Sequence, residues 1–191
     1  MKVKELLSIS KNNLYGKIVS FPTDTVNGVG ALVDDIEGIK KIYHLKHRDP
    51  NKPLAILAAN IESILPYIEY PSIEVLDMMK KFWPGALTII FKKNINSNLL
   101  IAKNIDTIAF RIPSSKIALS ILEHFGPMAT TSVNLSGSKP LNSYQEIYNN
   151  FNDEIDYIIE EEELKSGISS TIIDATKYPY VIIRQGDIKI K

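Results

Sequence analysis

The chain has 191 residues, 45% of them hydrophobic and 23% charged, which suffices for one well-buried domain and at most two. Its 22 basic and 22 acidic side chains cancel, so no global field draws it to nucleic acid or membrane, and any anion site must be built locally. Without cysteine there are no disulfides, thiolate chemistry or cysteine-based zinc sites, and without a long apolar run the expected location is cytoplasmic.

Leu6, Leu7 and Ile9 recur at helical spacing, and the pattern ends near Gly16, which predicts an opening helix over 4–14. Ile18, Val19 and Phe21 then supply a β-branched and aromatic strand, and Pro22 stops it by removing a ladder N–H. The turn that follows sets Thr23, Asp24 and Thr25 at a strand's carboxyl end, the usual place for a ligand in an open α/β sheet. Gly28 and Gly30 read as positions where the backbone turns tightly or comes close to a ligand. The alternative is an Asp/Thr turn that binds nothing. It is a poor dinucleotide fingerprint, since Val33 stands where a third glycine would fall.

Asp34 or Asp35 caps a helix carrying Ile36, Ile39, Ile42, Tyr43 and Leu45 at helical spacing. It delivers Lys46, His47 and Arg48 into a loop that also holds Lys52 and is stiffened by Pro50 and Pro53. Cations near a helix C-terminus can be a solvated cap favoured by the dipole. A rigid basic loop followed at once by an apolar strand over 54–58 suits an anion better. His44 and His47 lie three residues apart on the helix with no carboxylate at matching spacing, so they read as a surface pair before a metal site.

Asn60 is placed to cap a short helix ending before Pro66, and Ser72 another over 73–82, closed by Trp83-Pro84-Gly85. Strands are expected over 87–91 and 107–112, the latter setting Arg111 beside Pro113, with a polar, Asn-rich connection over 92–103. Ser114 or Ser115 caps a helix that stops at Gly126-Pro127. A strand over 128–132 then enters a second hydroxyl-rich turn, where Thr130, Thr131, Ser132, Asn134 and Ser136 could meet an oxygen-rich ligand or form an ordinary Asn/Ser loop. Ser132 lacks the Gly-x-Ser-x-Gly frame of a hydrolase nucleophile. Residues 144–151 look helical, and 153–163 read as an acidic, solvated stretch around a strand over 157–159. Strands over 172–174 and 181–183 follow, the last ending at Arg184-Gln185-Gly186. Irregular alternation of helices and strands predicts a mixed α/β sheet in one domain spanning 1–191.

Seven stretches together resemble the YrdC-like family of threonylcarbamoyl-adenylate synthases over nearly the whole chain. They are Pro22-Thr23-Asp24-Thr25-Val26 with Gly28, Lys46-x-Arg48 leading to Lys52-Pro53-Leu54, Trp83-Pro84-Gly85 with Leu87-Thr88, Arg111-Ile112-Pro113, Thr131-Ser132-Val133-Asn134-Leu135-Ser136-Gly137, Ser170-Thr171-Ile172-Ile173-Asp174, and Arg184-x-Gly186. The resemblance implies a single-domain, twisted mixed parallel and antiparallel sheet flanked by helices. It also implies condensation of L-threonine, bicarbonate and ATP into threonylcarbamoyl-AMP with release of pyrophosphate. A tRNA threonylcarbamoyl transferase complex would then pass the group to adenosine 37 of tRNAs that read codons starting with A.

Lys46, Arg48 and Arg184 are the expected catalytic cations, and Lys52 adds charge for the phosphates. By resemblance, ATP lies against Arg48, Lys52, Thr107, Ser132, Asn134 and Arg184, and threonine against Thr25, Arg111, Thr130 and Ser170. Mg²⁺ is expected through the ATP phosphates, because no dedicated protein cage is visible. Asn27, Asp49 and Gln185 depart from the family's usual tyrosine, proline and proline. The chain ends soon after Arg184, as the short form without an extra carboxy-terminal domain would. Two rivals remain: a non-catalytic paralogue contacting tRNA or double-stranded RNA, and a carbamoyl-transfer role like that of the similar domain in hydrogenase-maturation proteins.

Overall fold

Period-two alternation along the central strands covers one face of a sheet and leaves part of the other bare. The computed structural model describes residues 1–97, 99 and 105–190. Its strands are β1 (Val19–Phe21), β2 (Gly28–Leu32), β3 (Ala55–Leu57), β4 (Leu87–Lys92), β5 (Thr107–Arg111), β6 (Met128–Ser132), β7 (Tyr157–Ile158), β8 (Thr171–Asp174) and β9 (Val181–Arg184). Its α-helices are α1 (Val3–Leu6), α2 (Ile36–Leu45), α3 (Ile73–Phe82), α4 (Lys116–Phe125) and α5 (Tyr144–Phe151). The strands form one sheet in the order β7-β1-β2-β6-β3-β5-β4-β8-β9. β1 and β7, β3 and β5, and β4 and β8 pair in parallel, while the other neighbours are antiparallel. The mixed sheet with flanking helices is the architecture expected.

On the covered face, Ile56, Ile89, Phe110 and Ile173 are wholly buried and pack with Val75 and Met79 of α3. Ile39, Ile42 and Leu45 of α2 and Ile147 and Phe151 of α5 continue that cover over Val29, Ala31 and Ala129. Their strand neighbours point the other way. At one end of this second face, α4 packs Ile121, Leu122 and Phe125 on Phe21, Leu32, Leu57 and Met128. Beyond α4 the same face carries mostly small or hydroxyl-bearing residues, namely Gly28, Ala55, Thr88, Thr107, Ala109 and Thr130, with Ile90 and Ile172 among them.

Asp35, Ser72 and Ser115 cap α2, α3 and α4 through their side-chain oxygens, as expected of these residue types. Four expectations are corrected. The opening helix over 4–14 is only α1, followed by a 3-10 turn at Lys11–Leu14, because the Ser8 hydroxyl donates to the Glu5 carbonyl and competes with helix continuation. Asn60 accepts from the Ser63 N–H, but the segment forms a 3-10 turn over Leu65–Tyr67 that includes Pro66 where a helix was expected to end before it. Part of the connection over 92–103 lies outside the described residues.

The third correction concerns Gly28 and Gly30, expected either to turn the backbone tightly or to bring it close to a ligand: no turn forms there, and both lie within β2. Gly28 and Gly30 are not among the positive-φ glycines, and a Cβ on either would lie 2.9 Å from the Thr130 side chain across the ladder. They are glycine to make room for a threonine on the neighbouring strand. The fourth is the acidic stretch, which is engaged where a solvated face was expected. Glu160 pairs with the N-terminal amine and Lys2, Glu161 accepts from Val3 N, Glu162 from Tyr144 N and Glu163 from Ile117 N. The last three receive first-turn amides of α1, α5 and α4, donors that a helix cannot satisfy itself. Among the described residues, no helix is long and apolar enough to cross a membrane.

Replacing Gly30 by valine would press a branched side chain on Thr130 and Phe21, at a cost of about 1–3 kcal/mol. Urea unfolding should show a lower midpoint at unchanged slope.

Candidate active site

The bare part of the second face forms a cavity of about 370 Å³ whose walls include Arg48, Arg111 and Arg184 among threonine and serine hydroxyls. No carboxylate belongs to those walls among the described residues. Such a lining favours an anion rich in oxygen atoms.

Arg111 ends β5 with its side chain only 7% exposed and all three donor groups engaged. Nη2 donates to Asp24 Oδ1 at 2.7 Å, Nη1 to Thr25 Oγ1 at 2.7 Å and Nε to the Gly85 carbonyl at 2.9 Å. Burial pushes its pKa down, and Asp24 pulls it back up. Asp24 also accepts from Ser114 N, which ties the β1–β2 turn to the segment leading into α4.

Thr23 donates to the Val26 carbonyl at 2.6 Å, so in the Thr23–Thr25 contact of 3.1 Å Thr25 is the donor. Thr25 Oγ1 then has its proton and one lone pair in use, and it offers the cavity an acceptor.

Arg184 ends β9. Its Nε and Nη2 donate to the Ser170 carbonyl at 3.1 and 2.7 Å, and Nη2 reaches Ser170 Oγ at 3.3 Å. Burial, and then repulsion by Arg111, lower its pKa. Arg48 is held by donation to the Lys52 and Pro53 carbonyls at 3.1 and 3.0 Å, which aims its guanidinium from the proline-stiffened loop. Thr25, Thr107, Thr130, Ser132 and Ser170 all line the same cavity.

Lys46, Lys52 and Asn134 are placed differently. Lys46 is 2% exposed and its ammonium donates to Ser132 O, Asn134 O and Asn134 Oδ1 at 2.5, 2.7 and 3.0 Å, so its three protons have three acceptors within the protein. Burial, with a smaller repulsion from Arg48, lowers its pKa to about 8. Asn134 also accepts from Ser132 Oγ and donates to the Leu135 and Ser138 carbonyls, so its amide has no free capacity. Neither residue belongs to the cavity walls; together they clasp the hydroxyl-rich loop after β6. Lys52 is exposed and contributes its carbonyl to hold Tyr43 and Arg48.

Thr88 of β4 and Asp24 were given no role by sequence reasoning. Thr88 is a polar residue within the otherwise apolar run from Leu87 to Phe91, and that was the available signal. Asp24 stands in the turn singled out, but its pairing with Arg111 is 87 residues distant in the chain.

Asp24→Ala would leave Arg111 buried without its counter-charge, a loss of about 3–5 kcal/mol and a fall in Tm on the order of 10 °C, read by thermal unfolding. For Lys46, pKa about 8 when folded and 10.5 otherwise means the unfolded chain holds the extra proton between those values. Its contribution to stability therefore rises from about pH 8 to 10.5. Urea midpoints across that range should rise more steeply in the wild type than in Lys46→Met.

The family model Sua5/YciO/YrdC, described as Telomere recombination, matches residues 14–186. A threonylcarbamoyl-AMP synthase of Pyrococcus abyssi is 35% identical over 177 residues, covering 92% of this chain and 52% of that protein. One from Vibrio campbellii is 32% identical over 187 residues, covering 96% of this chain and 100% of that protein. Among solved structures, P. abyssi Sua5 complexed with L-threonine aligns with a TM-score of 0.87 at 34% identity, over 96% of this chain and 54% of that one. E. coli YciO aligns with a TM-score of 0.82 at 26% identity, over 96% and 88%. This chain thus spans about half the length of the Pyrococcus relative and the whole of the Vibrio one. The chain belongs to the Sua5/YciO/YrdC family.

Proposed function

We propose that this protein is a nucleotidyltransferase that makes threonylcarbamoyl-AMP from L-threonine, bicarbonate and ATP, releasing pyrophosphate. The observation that carries the reading is one cavity walled by Arg48, Arg111 and Arg184 with no carboxylate among its described walls, in a chain similar to threonylcarbamoyl-AMP synthases. A Sua5 structure at 34% identity was determined with L-threonine, which supports an amino-acid ligand here.

The chemistry joins two anions. The threonine amine adds to the carbon of bicarbonate with loss of water, giving a carbamate. A carbamate oxygen attacks the α-phosphorus of ATP, the bond to the β-phosphate oxygen breaks, and pyrophosphate leaves. Arg111 holds the threonine carboxylate, and the free lone pair of Thr25 accepts from the amine before it reacts. Arg48 and Arg184 face charge that builds on phosphate oxygens, without a nearby carboxylate to neutralise them. Thr107 and Ser132 bind the nucleotide, and Thr130 and Ser170 belong to the amino-acid end. Lys46 and Asn134 act by fixing the loop that carries Ser132. Magnesium arrives as the MgATP substrate, in keeping with described walls whose polar side chains are hydroxyls and guanidiniums, without a carboxylate to hold the ion. No covalent enzyme intermediate is needed.

The product's use is transfer of the threonylcarbamoyl group to adenosine 37 of tRNA by a partner transferase complex, in the cytoplasm. Pyrophosphate release should require threonine and bicarbonate together. Arg48→Ala and Arg184→Ala should each cut turnover on the order of 100-fold with Tm little changed, while Arg111→Lys, which keeps charge but loses the forked contacts, should raise the threonine KM most. Absence of any pyrophosphate release stimulated by threonine and bicarbonate would refute the synthase and favour a non-catalytic RNA-binding relative.

A further inference from the structure

Thr88 is the buried polar group of the cavity that no role above accounts for. It lies on β4, 3% exposed, and its Oγ1 is 2.7 Å from Ser170 Oγ, itself 6% exposed. The parallel register of β4 and β8, with Leu87 opposite Thr171 and Thr88 opposite Ile172, holds this contact from both sides. Thr88 and Ser170 both line the cavity.

A count of protons shows what the pair can do. Two hydroxyls carry two protons, and their mutual hydrogen bond uses one. Ser170 Oγ accepts from Arg184 Nη2 at 3.3 Å and its carbonyl takes the stronger Arg184 donors, so the guanidinium consumes lone pairs and no proton. Among the described residues no other acceptor is recorded for either hydroxyl. If Thr88 donates to Ser170, both Ser170 lone pairs are filled and the Ser170 proton is left over. If the bond runs the other way, the Thr88 proton is left over. In either direction one O–H remains, inside a cavity wall.

We propose that Thr88 is a positioning residue for amino-acid binding: paired with Ser170, it makes the pair a fixed single donor to an acceptor oxygen of the bound amino acid. The proposal deepens the synthase reading and rests on it. A valine at 88 keeps the shape of threonine but removes the partner, after which Ser170 can turn its proton to another acceptor.

The test is isothermal titration of L-threonine into the full chain, with steady-state kinetics on the same samples. Thr88→Val should weaken threonine binding and raise the threonine KM about five- to tenfold, the scale of one neutral hydrogen bond, with kcat and the ATP KM within about twofold of wild type. Thr88→Ser should restore wild-type values. Ser170→Ala combined with Thr88→Val should be no worse than Ser170→Ala alone, because each breaks the same fixed pair. Should Thr88→Val unfold, Thr88→Ala is read the same way against Thr88→Ser. An unchanged threonine KM, a loss spread equally over kcat and both substrates, or additive effects in the double variant would overturn the proposal while leaving the synthase intact. A wild-type chain that binds no threonine would overturn both.

Discussion

The ion pair between Asp24 and Arg111 is the contact on which the site depends. It joins a turn after β1 to the end of β5, in a place where a lone charge would be costly. The pair's geometry resolves the competition between desolvation and attraction, because each nitrogen of the guanidinium finds one acceptor while two of its five N–H donors stay available to a ligand. One of those acceptors is the Gly85 carbonyl, and Gly85 N in turn donates to Ile112 O, so the Trp83-Pro84-Gly85 stretch is fastened to the same strand end. Arg111 is thus already half-neutralised before a ligand arrives. Arg184, held only by the neutral carbonyl and hydroxyl of Ser170, retains its full demand for an anion.

That demand can be met only because the sheet leaves a face uncovered. Large side chains on one side satisfy the hydrophobic requirement, and three helices use them. On the other side α4 covers one end, and the small residues beyond it give no helix a surface to bury. The glycines of β2 belong to the same pattern: they let Thr130 of β6 occupy the face without forcing the strands apart.

Much of this is legible in the sequence where a cause is local. Asp35, Ser72 and Ser115 announce their helices, and Arg111 and Arg184 announce themselves as cations at the ends of apolar strands. What was missed has causes distant in the chain. β2 looks like a turn because glycine is depleted in strands, and the neighbour that explains it is Thr130. Lys46 looks like a phosphate ligand because it sits beside Arg48 after a helix, yet its acceptors lie 86 and 88 residues away. Thr88 has the opposite difficulty: a threonine is unremarked in any strand, and its meaning depends on a serine brought alongside by parallel pairing.

The row of glutamates at 161–163 has a consequence for how the protein comes apart. Each accepts from the first turn of a different helix, so α1, α4 and α5, which do not follow one another in the chain, share one short strap. Three residues further on, Ser166 N and then Gly167 N donate to the carbonyls of Asp24 and Thr25, in the turn that holds Arg111. A local opening of that strap would unfasten three helix ends and loosen the arginine's turn in one event. The segment that looks most like solvated surface thereby makes distant parts of the molecule a single cooperative unit.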